Sequence, residues 1–297
     1  MNIFKEFITK RNTKKKFNKL TCHPKNITYK NSKSCIDTST LKKLKNIWNK
    51  RYPDNKIKTN NDKHIWQFLK TKFKHSCANE LCWINSLIKD NKYKRKLKKS
   101  LFAPSMPYIW KKNINEWLNS NDILNVMKQY EEADPQFEFF GPSPIDYDTI
   151  VYNNSCVWPE ICNINMKNLF NKQKTKIGFI FNTDKHYEEG SHWIALYIDL
   201  NKKIIFFFDS NGSEIPLELN KLINNIIYQC ENKLCMKIKF DSNVGFIHQR
   251  SNTECGMYCL YFLISLLKKK HNVKYFKSKR IKDKKVESLR KVYFNNI

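Results

Sequence analysis

The chain has 297 residues, 41% of them hydrophobic, and carries 55 Lys and Arg against 27 Asp and Glu, a net charge of +28. That length holds one large domain or a core with a smaller appendage, and either can bury a sufficient core. No apolar run approaches the ~20 residues that span a bilayer, the longest covering residues 256–267, and Met1-Asn2-Ile3-Phe4-Lys5-Glu6 has no secretory h-region, so membrane insertion and export are not expected.

Residues 1–40 are polar and rich in Lys and Asn with little periodicity, a composition that suits partial disorder. Leu41, Leu44, Ile47 and Trp48 then fall on one helical face behind Ser39 and Thr40 as capping candidates, and Pro53 ends that helix. Asp62 is expected to cap a second helix with Ile65, Phe68, Leu69 and Phe73 inward; a third apolar set, Leu81, Ile84, Leu87 and Ile88, precedes a basic run over residues 92–99. These elements predict a basic helical arm over residues 1–100. Ala103-Pro104-Ser105-Met106-Pro107 reads as a linker into a second domain, residues 101–297.

In that domain residues 117–131 are expected to be helical, and Phe137-Glu138-Phe139-Phe140 a strand stopped by Gly141-Pro142-Ser143-Pro144. Residues 177–181 form a strand before a polar loop carrying His186. Residues 193–198 and 204–208 are two more strands, joined as a hairpin through residues 199–203. Residues 215–231, 256–267 and 283–294 read as helices. Helices around a central mixed sheet give an α+β fold.

The residues that carry chemistry stand in the order His, acid, Gln, Cys. Cys255 opens the apolar run, so its sulfur would sit at a helix N-terminus, where dipole and free N–H groups favour thiolate. His192 stands at a strand start, fit to take the thiol proton and later protonate a leaving amine. Asp209 ends the second strand of the hairpin, within reach of the far ring nitrogen of His192. Gln249 lies six positions before Cys255 and can donate its amide N–H beside the Cys255 backbone N–H as an oxyanion hole. Each residue alone has an ordinary reading, as core thiol, strand-end His, turn Asp or loop Gln. Their conjunction, in order and on suitable local structure, points to a thiol protease. His186, in a polar loop, and His248, beside Gln249, are rivals for the base.

The ten cysteines are not expected to form disulfides in a chain without a leader, and a reducing compartment follows. No Cys-x-x-Cys occurs, so neither a metal site nor a cofactor is expected. Cys259, one turn after Cys255, reads as a core residue.

Three stretches, Gly190-Ser191-His192-Trp193, Phe208-Asp209-Ser210-Asn211-Gly212 and His248-Gln249-Arg250-Ser251-Asn252-Thr253-Glu254-Cys255-Gly256, resemble the ubiquitin-like-protein-specific (SUMO protease-like) cysteine proteases of the adenain-like clan. Within them the chain is most similar to the polyprotein-processing proteases of African swine fever virus and related large DNA viruses. The resemblance implies an adenain/SUMO-protease-like α+β core with a central mixed sheet flanked by helices. The spacing of His192 and Asp209 is similar to that of cellular SUMO proteases, whereas the swine-fever-like enzymes use Asn at the third position, which leaves Asn211 as runner-up to Asp209. Glu116-Trp117-Leu118-Asn119 resembles the segment that opens the family core; carried across, Trp117 and Trp193 would wall a narrow tunnel for Gly-Gly.

The resemblance further implies viral structural polyproteins cut at Gly-Gly-Xaa during virion maturation, in the host cytoplasm and in the virion. A deconjugase acting on ubiquitin-like tails shares the chemistry, and a nucleic-acid-binding virion protein with a vestigial site is the alternative from another class. Acyl transfer on the same Cys–His scaffold is a weaker third. Only six of the 55 basic residues are Arg, a bias that suits an AT-rich genome as much as a ligand; still, a charge of this size attracts DNA or RNA without sequence preference. Oligomeric state is not legible.

Overall fold

The computed structural model describes residues 15–28 and 34–297, and the chain divides into two compact units, up to Ala103 and from Pro104 onward. Expectations placed on residues 1–14 lie outside the described residues.

In the first unit four helices follow in order: α1 (Thr38–Arg51), α2 (Asp62–Lys72), α3 (Glu80–Leu87) and α4 (Asn91–Leu101). Each starts behind an Asp or Asn whose side chain accepts from the helix's free N–H groups: Asp37, Asn61, Asn79 and Asp90. The caps therefore precede the residues expected in that role, because the accepting oxygen belongs outside the first turn; Thr40 is the donor, 2.7 Å from Asp37 Oδ1. Leu41, Leu44, Trp48, Ile65, Leu69, Leu81, Ile84, Leu87 and Ile88 are buried, as their periodicity predicts. The stretch expected to be loose is tied down in part, with Lys15 N–H on Lys74 O and Asn18 N–H on Ala78 O.

Six cysteines are paired, Cys22–Cys35, Cys77–Cys82 and Cys156–Cys162, and Cys230, Cys235, Cys255 and Cys259 are free thiols. This corrects the all-thiol expectation. The expectation rested on a reducing compartment, whereas pairing needs the two Cα atoms within roughly 4.4–6.8 Å of each other, and the three pairs stand at 5.1, 5.4 and 6.3 Å.

The second unit is built on one five-stranded mixed sheet in the order β1 (Phe137–Pro144), β2 (Lys176–Asn182), β3 (Trp193–Asp199), β4 (Ile204–Phe208), β5 (Lys239–Ser242). The central strands are antiparallel and each edge strand runs parallel to its neighbour. The central strands are apolar throughout because both sheet faces are covered. Trp193, Ala195, Tyr197, Phe206 and Phe208 face α5 (Ser120–Ala133) and α9 (Cys255–Leu267). The alternate residues Ile194, Leu196, Ile198, Ile205 and Phe207 face α7 (Met166–Asn171) and α8 (Leu217–Leu234), with the short α6 (Pro159–Cys162) beside them. The chain closes with α10 (Val273–Ser278), α11 (Asp283–Ser288) and α12 (Arg290–Tyr293).

Several boundaries differ from those expected. β1 does not stop at Gly141 but continues through a register shift between Phe140 and Ser143. Only glycine suits that bulge, since Gly141 has φ +109° and a Cβ there would lie 2.6 Å from Ile180 O. Residues 104–106 are no free linker: Pro104 O accepts from Asn295 N–H, and Asn295 O accepts from Met106 N–H. The helix expected over residues 283–294 breaks at Leu289 into α11 and α12. Trp117 precedes α5, whose first turn carries a capping box of Asn119 and Asp122.

Phe262 of α9 stacks on Phe208 of β4 at 4.6 Å between centroids and is fully buried. Phe262→Ala is expected to cost about 3–5 kcal/mol, read as a lowered denaturant midpoint.

Candidate active site

β3 begins one residue after His192 and β4 ends one residue before Asp209, and the antiparallel register that sets Ala195 across from Phe208 brings those two ends together. His192 Nε2 lies 2.6 Å from Asp209 Oδ1. The carboxylate is nearly fully buried and accepts two further N–H groups, from Asn211 to Oδ1 and from Ser213 to Oδ2, both at 3.0 Å. Burial opposes ionisation of Asp209, but the hydrogen bond and charge of His192 and these amides outweigh it and hold the carboxyl below its ordinary value. Asn211, the runner-up, contributes its backbone N–H while its side chain is exposed.

With Nε2 engaged by Asp209, Nδ1 is the nitrogen left for the thiol. Cys255 is the buried first residue of α9, and it adds to the electrostatics of the His192 ring. Burial works against an imidazolium here, yet the hydrogen bonds from Asp209 and Cys255 prevail, and the His192 pKa is pushed up to about 9. Cys259, one turn on, is fully buried, and burial first, then the charges of Cys255 and Asp209, drive its thiol well above the ordinary value. It stays a protonated core residue.

Gln249 is positioned by Ser210, whose hydroxyl donates to its Oε1 at 2.7 Å, while its Nε2 donates to Ser251 O at 2.6 Å. One of its two amide hydrogens is thereby committed within the loop, and the other is the one available to an oxyanion beside the N–H groups that open α9. The loop is anchored by His248, fully buried, with Nε2 donating to Phe276 O at 2.7 Å and Nδ1 accepting from Ile281 N–H. Burial lowers the His248 pKa, so this ring is neutral and structural. His186 also has a fixed partner: its Nδ1 is 2.7 Å from Oδ2 of the buried Asp146, which also accepts the His186 N–H.

Trp193 is buried, and its indole N–H donates to Leu118 O at 3.0 Å; Trp117 is 38% exposed. Both line a cavity of about 1010 Å³, with Leu118, Trp158, Glu188 and Glu189 among its walls. Gly256 packs closely here, since a Cβ there would lie 3.2 Å from both Leu118 Cβ and Trp193 Cδ1 and those side chains would have to shift.

Three supporting residues escape the sequence reading. Asn243, buried just beyond β5, brackets the Asp209 peptide: its Oδ1 accepts the Asp209 N–H at 2.9 Å and its Nδ2 donates to Asp209 O at 2.6 Å. Glu254, the residue before Cys255, forms a fully buried ion pair with Arg290 at 2.8 Å. Burial raises the Glu254 pKa, and the guanidinium offsets part of that rise. Arg290 also donates to Glu116 O at 2.8 Å and covers the Trp110 ring at 4.2 Å, so one side chain links the segment carrying Trp117 to the segment carrying Cys255. A signal for Arg290 existed: arginine is rare in this lysine-rich chain and marks positions where a planar fork is needed.

A mixed sheet with a thiol at the head of a buried helix and a His–Asp pair at two strand ends defines the class, a cysteine-peptidase fold of the SUMO-protease type. Residues 149–297 match the model of the Ulp1 protease family, C-terminal catalytic domain, and the chain belongs to that family. It is 32% identical over 183 residues to a protein of Acanthamoeba polyphaga mimivirus named as a thiol protease, covering 61% of this chain and 57% of that protein. It is 32% identical over 117 residues to the SUMO-1 cysteine protease of African swine fever virus, covering 38% of this chain and 41% of that one. The chain thus matches about half the length of these relatives. Its fold is similar to the crystal structure of the African swine fever virus protease, with TM-score 0.66 at 20% identity, over 95% of this chain and 97% of that one.

Because His192 is raised, its proton persists through neutral pH and is lost as pH rises through about 9. Asp209→Asn removes the charge behind that shift and is expected to lower kcat about 10²-fold while moving the alkaline limb of kcat/KM toward the ordinary His value of 6.5. An unmoved limb would show that Asp209 does not carry the shift. Arg290→Met leaves Glu254 buried without a partner and is expected to lower unfolding free energy by about 3–5 kcal/mol; adding Glu254→Gln should recover part of it, both read by urea denaturation.

Proposed function

We propose that the chain is a cysteine endopeptidase that cuts proteins after Gly-Gly. The observation that carries this is the His192 Nε2 to Asp209 Oδ1 contact of 2.6 Å, on a ring whose electrostatics Cys255 also shapes, with a cleft lined by Trp117 and Trp193. Cys255 thiolate attacks the carbonyl carbon, and the oxyanion is received by Gln249 Nε2–H and the backbone N–H of Cys255. His192 then gives its proton to the departing amine, leaving a thioester. Water adds to that thioester as His192 takes its proton, and the thiol leaves with the acid product freed. Asp209 holds the ring and stabilises its charge throughout.

In this reading Trp117 and Trp193 narrow the cleft so that backbone enters and side chains are excluded, which selects glycine at the positions before the cut. As part of the same proposal the substrates are structural polyproteins and the setting is virion maturation, in host cytoplasm and particle; the viral relatives, named as a thiol protease and a SUMO-1 cysteine protease, support the peptidase chemistry. A deconjugase reading rests on the same residues and differs in requiring a folded modifier.

Peptides bearing Gly-Gly-Xaa, Ala-Gly-Xaa and Ala-Ala-Xaa separate these. Cutting after Gly-Gly, abolished in Cys255→Ala, is expected, with Ala-Ala-Xaa cut more than about tenfold more slowly and Trp117→Ala narrowing the gap. Cutting that survives Cys255→Ala would remove the assignment, and cleavage confined to Gly-Gly fused to a folded ubiquitin-like domain would favour the deconjugase.

A further inference from the structure

The chain's charge is unevenly divided. Residues 1–103 hold 28 Lys and Arg against 6 Asp and Glu, whereas residues 104–297 hold 27 against 21. The first unit thus carries a net +22 and the larger second unit +6. A codon bias toward lysine acts on the whole gene and does not thin out acidic residues in one unit alone, so the excess is a property of the first unit.

α4 displays that charge in an ordered way. Lys92, Arg95, Lys96 and Lys99 follow the i, i+3, i+4, i+7 spacing of one helical face, and all four are exposed, while Leu97 and Leu101 of the opposite face are buried. Seven residues at about 1.5 Å rise put the four cations along roughly 10 Å of axis. Lys43 of α1 adds a fifth cation near this helix, its Nζ 3.9 Å from the centre of the Tyr93 ring. Asp90 caps the start of α4 with its carboxylate spent on the N–H groups of Lys92 and Tyr93, so the acid nearest the stripe serves the helix itself.

We propose that this face of the first unit binds duplex DNA through its phosphates, without sequence preference. The chemistry of the face selects this partner among polyanions. A membrane-surface helix needs exposed Trp, Phe or Leu to enter the acyl boundary, and among the described residues of this unit Tyr52 is the one large hydrophobic side chain exposed. Single strands are held by aromatic platforms on which bases stack, and the same scarcity of exposed rings argues against them. Contacts from Lys and Arg to phosphates fix position and carry no sequence information. A straight helical stripe matches the major groove of B-DNA, about 12 Å wide, whereas the deep, narrow major groove of A-form RNA shuts side chains out. This inference is independent of the peptidase reading, because none of its residues belongs to the catalytic set.

The test uses the full chain and a fluorescein-labelled DNA duplex of about 20 base pairs, titrated across a salt series, since each phosphate contact adds roughly −0.9 to the slope of log K against log salt. Lys92→Gln/Arg95→Gln/Lys96→Gln keeps helix-forming residues and removes three charges; it is expected to weaken binding more than tenfold and to flatten the slope by about 2–3. Lys268→Gln/Lys269→Gln/Lys270→Gln, in the second unit, is expected to leave both nearly unchanged. Equal binding and slope in the α4 variant, loss in the second-unit variant, no binding at 50 mM salt, or tighter capture of duplex RNA, single strands or phosphatidylserine vesicles would each overturn the proposal.

Discussion

Twelve of the thirteen residues of α9 are buried, and the helix lies across the face of the sheet that carries Trp193, Tyr197, Phe206 and Phe208. A helix so enclosed cannot slide or rotate without opening voids, which cost more than a marginal stability can absorb. Its first residue is therefore fixed in space, and that residue is Cys255. The sulfur inherits both the position and the dipole of the helix end. His192 and Asp209 arrive from the same construction, since the strands on which α9 packs are β3 and β4, whose ends present them. One hydrophobic contact between helix and sheet thus sets the distances among all three groups.

Packing alone would leave the carboxylate in a hostile environment, because burying a charge is costly unless it is hydrogen-bonded. Asp209 is reconciled with burial by donors on every side: His192 and the N–H groups of Asn211 and Ser213 on its carboxylate, with Asn243 closing both backbone groups of the same residue. The result is an anion that stays ionised and raises its neighbour, so that His192 keeps a proton where an ordinary histidine would lose it. The Glu254–Arg290 pair applies the same principle one residue before Cys255, and its cost is shared by the further contacts of Arg290 with Glu116 O, Thr253 O and Trp110.

What the sequence displays plainly is whatever is written in local pattern. The runs before and after the 199–203 turn can only be strands buried on both faces, and the apolar run after Cys255 can only be a buried helix, so His192, Asp209 and Cys255 were placed on the correct ends of correct elements. β5 was missed because Lys239-Phe240-Asp241-Ser242 is short, polar and at the sheet edge, with no periodicity to mark it. With it went Asn243, whose role exists only once β5 lies beside β4. The disulfides were missed for a related reason: pairing depends on a Cα separation that loops create in space, and sequence spacing reports it poorly. β1 was cut short because Gly141-Pro142 ordinarily breaks a strand, and here a bulge absorbs it.

The division between lysine and arginine carries information of another kind. Where the chain needs a positive charge to meet a defined shape, it uses arginine: Arg290 on Glu254, Arg280 on Asp283 and His248 O, Arg51 on the carbonyls of Ser86 and Leu87. Where it needs charge spread over a surface, it uses mainly lysine, which stays strongly hydrated, with Arg95 the arginine of the α4 stripe. The second unit nearly balances its charges, as a unit does when its ionic groups are engaged in folding and in a site. The first unit does not, and part of its surplus lies on the exposed side of α4, whose other side is already occupied in its own core. Self-repulsion among those cations weakens the unit that carries them. A feature with that cost is retained when something outside the chain neutralises it, and a polyanion does so over the whole face at once.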